Sequence, residues 1–190
     1  MDFAYWGHLA AFFLPGVKYT LGLFGITLVI SLPLGLGLAF LRTHKNGVLR
    51  NVTALYVWLL RGTPLLLQLF FVYFGLCFIP GIGKYLTFDR FPAACVAFIL
   101  NYAAYFCEIF RGGLLSVNKG QYEAAKVLGF SLRTTNFKIV IPQMLHVCLP
   151  PVTNECITLV KDTALVTAIG VTEILYFAKS AANADVSATA

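Results

Sequence analysis

Residues 19–41 form a run of 23 residues without one charged side chain. A single α-helix needs about 20 predominantly apolar residues to cross the hydrocarbon core of a bilayer. The run therefore predicts a full membrane span. Its Gly22, Gly25, Gly35, Gly37 and Pro33 would weaken a water-exposed helix, but small residues in lipid let neighbouring helices approach closely. Composition extends the point to the whole chain. Of 190 residues, 59% are hydrophobic and 12% charged, with a mean hydropathy of +0.81. Soluble domains run near roughly 45–50% and about 25%. A fold of this size in water has no interior large enough for so much apolar surface. A soluble enzyme, a disordered chain and a coiled coil are excluded, and an all-α integral membrane protein with four or five spans is expected.

Further segments follow the same logic. Residues 51–83 are apolar apart from Arg61, and Arg61-Gly62-Thr63-Pro64 predicts a kink or restart: Thr63 can cap a helix, and Pro64 suits its first position. Residues 91–107 read as a third span closed by Glu108 and Arg111. A bent fourth span is expected over 139–160, interrupted by Pro142, Pro150 and Pro151. A shorter helical segment over 163–178 and a small polar tail over 179–190 complete the chain. The expected organisation is a periplasmic or interfacial segment over 1–18, a transmembrane domain over 19–178 and that tail. The start carries no Lys or Arg ahead of its apolar part, so it does not read as a cleaved signal peptide. The five cysteines lie in apolar stretches with no C-x-x-C, which suits small buried hydrophobes.

The net charge of +6 is placed unevenly. Residues 42–51 hold Arg42, Lys45 and Arg50 with no acid; residues 111–138 hold Arg111, Lys119, Lys126, Arg133 and Lys138 against Glu123. Three alternating spans put both stretches on one side, which the excess of Lys and Arg marks as cytoplasmic. The N-terminus is then periplasmic. The basic balance needs no nucleic acid to explain it.

The second basic stretch contains Gly120-Gln121-Tyr122-Glu123-Ala124-Ala125-Lys126-Val127-Leu128-Gly129-Phe130-Ser131. Asn118 or Gly120 can start a short helix, Glu123 favours the positive end of its dipole, Gly129 stops it, and Ser131 can cap the next segment. A helix this short is unstable alone in water, so its own membrane domain or a partner's groove must hold it.

Glu123-Ala124-Ala125, then Gly129, then Ile139-Val140-Ile141-Pro142 resembles the EAA motif of ABC importer permeases, with Ile141 where the consensus has Leu. Three further stretches resemble the polar amino acid uptake branch of that family, the histidine, glutamine and arginine type. They are Arg61 to Phe71 (RGTPLLLQLFF), Glu108 to Leu114 (EIFRGGL), and Pro150-Pro151-Val152-Thr153-Asn154-Glu155 through Lys161-Asp162-Thr163. The resemblance runs from about Thr20 to Glu173, with the four motifs in the family's order.

The resemblance implies a polytopic helical bundle of the type I ABC importer permease kind. Such a chain is the transmembrane subunit of an ATP-driven importer of a polar or charged L-amino acid in the bacterial inner membrane. Glu123, Ala124, Ala125 and Gly129 take the coupling role. The implied partners are a cytoplasmic ATPase dimer, a second permease subunit and a periplasmic amino-acid-binding protein. ATP and Mg sit on the ATPase, and this chain binds no cofactor. Members of the family carry a further span after the segment matching 163–178. Its absence is the expectation here, with a truncated, non-transporting remnant as the alternative reading.

Charges within spans are costly and mark candidate sites. Arg61 stands about ten residues into its segment, roughly 15 Å deep at 1.5 Å per residue. It can meet a substrate carboxylate, or it can snorkel and cap carbonyls at the break. Glu155 follows 16 uncharged residues, with Asn154 beside it and Asp162 seven residues on. A free amino acid brings one carboxylate and one ammonium, and Arg61 with Asn154, Glu155 and Asp162 offers both signs. The same residues suit internal ion pairs. Glu108 and Arg111 are expected to pair at the interface. An intramembrane enzyme would need a nucleophile–base pair or an H-E-x-x-H, and ATP use would need a G-x-x-x-x-G-K-[ST] loop. The sequence has none of these. An ATPase-independent carrier or channel has no use for the docking helix.

Overall fold

The structure is a computed structural model that describes residues 3–81 and 83–189, with side chains placed for 10–81 and 83–183. Met1, Asp2, Ile82 and Ala190 lie outside the described residues, and with them the extremes of the segments 1–18 and 179–190 read above. All regular structure among the described residues is helical, as expected. The α-helices are α1 (Phe3–Arg42), α2 (Gly47–Gly62), α3 (Leu65–Phe70), α4 (Arg90–Ser116), α5 (Lys119–Val127), α6 (Leu132–Thr135), α7 (Ile141–Asp162) and α8 (Ile174–Thr189). A π-helical piece, Phe71–Gly75, and a 3-10 piece, Leu76–Phe78, prolong α3; another π-helical piece, Asn136–Val140, joins α6 to α7.

Among the described residues, two helices are long and apolar enough to cross a membrane by themselves, Ala10–Arg42 of α1 and Arg90–Ser116 of α4. Two interrupted pairs pass the same test together: Gly47–Gly62 with Leu65–Phe78, and Leu132–Ile169 with Ile174–Asn183. That gives up to four spans among the described residues, within the four or five expected.

Three details differ from the sequence reading. First, α1 starts well before Tyr19 and carries Lys18 within it. One lysine does not end a helix, because its long stem reaches towards water while the backbone continues; a charge-free criterion therefore sets the boundary too late. Second, α7 runs unbroken through Pro150 and Pro151. The two prolines forfeit the hydrogen bonds to the carbonyls of His146 and Val147 without stopping the helix, as spanning helices tolerate. Third, the small polar tail continues α8, whose Ala178, Ala181 and Ala182 favour helix. The break at Thr63–Pro64 is present, but Pro64 itself occupies the cap position of α3, and Gln68 Nε2 reaches back to Thr63 Oγ1 at 2.8 Å.

The chain divides into two compact units. The first comprises residues 1–29, 63–99 and 157–190. Leu23, Leu69, Val166 and Ile169 are buried in it, and the Tyr19 ring meets Phe91 edge-on at 5.7 Å. The 3-10 piece Thr163–Ile169 ends at Gly170, whose φ of +78° is left-handed, with Val171 N–H returning to the Val166 carbonyl at 3.1 Å. Glu173, 1% exposed, then caps α8 by accepting the N–H groups of Leu175 and Tyr176 at 2.8 and 3.0 Å.

The second unit comprises residues 30–62 and 100–156. Its helices approach through small residues. A Cβ on Gly35 would stand 2.6 Å from Phe106 Cβ, so α1 meets α4 there only because the side chain is absent. A Cβ on Gly113 would overlap Cys148 Sγ, which brings α4 against α7 in the same way. Helix α2 is tied to α4 by polar contacts: Tyr56 Oη donates to the Leu100 carbonyl at 2.6 Å, and Asn101 Nδ2 donates to the Leu60 carbonyl at 3.1 Å.

Candidate functional site

The α5 loop is built by its caps. Asn118 Oδ1 accepts the Gly120 N–H at 2.8 Å and opens α5. At the other end Gly129 adopts φ +74°; Phe130 N–H returns to the Ala125 carbonyl at 2.9 Å and Gly129 N–H to Lys126 at 3.0 Å. This pair of bonds is a Schellman stop, which favours glycine at the left-handed residue. Ser131 Oγ then accepts the Thr134 N–H at 3.1 Å and opens α6. Ala125 is the buried residue of α5, whereas Glu123 and Ala124 are exposed.

This arrangement leaves large apolar side chains uncovered. Val127 is 87% exposed, Leu128 70% and Leu132 80%. Beside them Tyr122, Glu123, Lys126, Phe130, Leu132 and Thr135 line a groove of about 420 Å³. Partial burial pushes the Tyr122 phenol above its usual 10.0. The sequence motif supplied Glu123 and Gly129. Tyr122, Phe130 and Leu132 were not singled out from the sequence; their signal is an apolar residue on either side of a helix stop.

A charged cluster lies where α1 and α4 end. Arg111 Nε and Nη2 donate to Glu108 Oε2 at 2.9 and 2.7 Å, and Arg42 Nε faces Glu108 Oε1 at 3.5 Å. The expected Glu108–Arg111 pair is therefore present, with Arg42, the last residue of α1, as a third member. The C-terminal ends of α1 and α4 are thereby neighbours. Arg61 belongs to the same neighbourhood. Its guanidinium rests over the Tyr105 ring at 5.1 Å, and it lines one pocket with Arg42, Trp58, Tyr105 and Glu108.

The remaining candidates sit on α7. Asn154 is exposed and Glu155 half-buried in the second unit; Asp162, half-buried at the end of α7, belongs to the first. Each has interaction partners. No group of three or more His, Cys, Asp or Glu among the described residues could hold a metal ion.

The family model for the inner membrane component of binding-protein-dependent transport systems matches residues 31–186, most of the chain. The chain belongs to that family. Permeases of amino acid ABC transporters are among its relatives. It is 40% identical over 159 residues to the L-cystine transport system permease protein TcyB of Bacillus subtilis (strain 168), covering 84% of this chain and 66% of that one. It is 37% identical over 161 residues to the glutamine transport system permease protein GlnP of Escherichia coli (strain K12), covering 85% of this chain and 72% of that one. The permease thus spans about two thirds of the length of TcyB. Among solved structures, an amino acid ABC transporter with histidines superposes with a TM-score of 0.77 at 32% identity, covering 92% of this chain and 79% of that one. An inward-facing MetNI methionine ABC transporter gives a TM-score of 0.69 at 22% identity over 91% of this chain and 79% of that one, a likeness of fold.

Proposed function

We propose that this permease is the transmembrane subunit of an ATP-driven importer for a polar or charged amino acid, and that α5 and α6 dock on a separate cytoplasmic ATPase. The observation that carries the reading is the uncovered apolar end of α5. Val127 ends α5, Leu128 is its C-cap residue and Leu132 opens α6, and all three are largely exposed. Apolar area left in water costs about 25 cal/mol per Å², which favours a partner that covers it. The groove beside them carries Glu123 and Lys126, charges that fix how a partner sits. ATP-driven closure of an ATPase dimer then moves the α5 segments of two permease subunits and switches them between inward- and outward-facing states.

Charge and packing together support an orientation. Arg42 meets Glu108, so the basic stretches after α1 and α4 emerge at one end of the second unit. Lys and Arg excess makes that end cytoplasmic and the N-terminus periplasmic. A periplasmic binding protein delivers the amino acid, a role that fits relatives named for glutamine and L-cystine transport. Asn154 and Glu155 are the proposed substrate contacts in the second unit, and Asp162 is a separate candidate. Arg61, whose guanidinium lies over Tyr105 beside Arg42 and Glu108, remains a candidate for the substrate carboxylate.

The test is ATP-dependent uptake by proteoliposomes holding the permease with the ATPase and binding protein of its system. Wild-type vesicles should accumulate a labelled amino acid, and Gly129→Asp vesicles should hydrolyse ATP without doing so. Glu155→Gln should change the affinity or choice of amino acid while the ATPase stays bound. Normal uptake by Gly129→Asp would refute the coupling role, and loss of the ATPase from Glu155→Gln would make Glu155 structural.

A further inference from the structure

We propose that the pocket formed by the end of α1, the end of α2 and α4 binds the phosphate group of an anionic phospholipid. The pocket measures about 440 Å³ and lies wholly within the second unit. Two guanidinium groups, Arg42 and Arg61, line it against one carboxylate, Glu108. That carboxylate is already held by Arg111 at 2.7 Å. The Arg61 charge is met by the face of Tyr105 rather than by an acid. Arg42 Nε is buried without a hydrogen bond, 3.5 Å from a Glu108 oxygen that also lacks one. The pocket therefore has surplus positive charge, which suits a phosphate, the anion that arginine forks grip best.

The source of that phosphate is indicated by what adjoins the pocket. Trp58 both lines it and stands 71% exposed. Leu55, Leu59 and Val52, exposed at 62%, 51% and 63%, continue from Trp58 along one side of α2. At 3.6 residues per turn the four fall within about a third of the helix circumference. An apolar track leading out of a cationic pocket fits acyl chains attached to the bound phosphate, which a free phosphate lacks. Basic pockets between membrane helices at the leaflet surface take anionic headgroups in this way. On the orientation proposed above, the leaflet is the cytoplasmic one.

Trp6 and Trp58 are the tryptophans of the chain, so Trp6→Phe isolates Trp58 as a fluorescent reporter. Full-length permease of that background is placed in nanodiscs containing brominated phosphatidylglycerol or, at equal bromine content, brominated phosphatidylcholine. Phosphatidylglycerol should quench Trp58 with a roughly fivefold preference. Adding Arg42→Gln and Arg61→Gln should abolish the preference, Arg61→Lys should keep most of it, and Lys45→Gln, outside the pocket, should leave it unchanged. Circular dichroism checks that each variant is folded; if the double variant is not, the single Arg61→Gln is read instead. Equal quenching by the two lipids, or an unchanged preference without the arginines, overturns the proposal. Inorganic phosphate at millimolar concentration should leave the preference intact; its loss would assign the pocket to free phosphate and overturn the lipid assignment.

Discussion

Arg111 Nη2 stands 2.7 Å from Glu108 Oε2, one helical turn along α4. Its Nε donates to the same oxygen at 2.9 Å, while Arg42 approaches the other oxygen from α1. One carboxylate thus holds together the ends of two helices. Glu108→Gln keeps the shape but leaves Arg42 and Arg111 facing each other without a counter-charge. The side chains are part-exposed, at 17% for Glu108 and 33% for Arg111, so the effect is moderated by solvent. The expected loss is about 1–2 kcal/mol, or roughly 2–8 °C in the unfolding midpoint in detergent. An unchanged midpoint would mean that the cluster does not join the two helices.

Two glycines of α1 separate packing from propensity. A Cβ at Gly35 would stand 2.6 Å from Phe106 Cβ, whereas a Cβ at Gly37 meets nothing within 4 Å. Gly35→Ala should destabilise the permease by about 1–3 kcal/mol through overpacking. Gly37→Ala should be neutral or stabilise by up to about 1 kcal/mol, because alanine is the better helix former. Equal effects of the two changes in thermal unfolding would contradict the α1–α4 contact.

The caps of α5 are separable from its surface. Asn118→Ala removes the acceptor for Gly120 N–H, and Gly129→Ala puts a side chain at φ +74°. Each should cost about 1–2 kcal/mol of local stability. Amide exchange across residues 119–128 should accelerate roughly 5–30-fold, with the exchange of α4 unchanged. Exchange no faster than in the wild type would mean that these caps do not hold the helix.

Tyr122 carries a pH signature. Partial burial raises its phenol above 10.0 because the neutral form is favoured there. The folded state therefore holds this proton more tightly than the unfolded state. The resulting stabilisation is complete below the unfolded-state value near 10 and fades as pH rises through the folded-state value. The difference between wild-type and Tyr122→Phe absorbance titrations at the phenolate band should have its midpoint above 10. A midpoint at or below 10 would place Tyr122 in open solvent.

The features legible in the sequence are those set by local chemistry. Asn118, Gly129 and Ser131 occupy the cap and stop positions their side chains suit, and Glu108 with Arg111 pairs at the spacing of one turn. Arg61 illustrates the limit. Its place inside an apolar run is plain from the sequence, but its neighbours Tyr105 and Arg42 come from other helices and share no periodic signal with it. Pro150 and Pro151 illustrate another limit. Proline predicts a break from backbone geometry alone, while the membrane environment and packing carry α7 through both. The apolar groove beside Tyr122 needed the fold of α5 onto α6, which the motif residues do not themselves specify.

The ATPase is proposed to dock where α5 ends and α6 begins. The most direct measurement is the affinity of the system's ATPase for the permease in nanodiscs, compared among wild type, Val127→Asp and Leu132→Asp. Both side chains are more than three-quarters exposed, at 87% and 80%, so neither change disturbs the core. Each change should weaken binding by at least about tenfold, equivalent to about 1.4 kcal/mol. Unchanged affinity in both variants would contradict docking there.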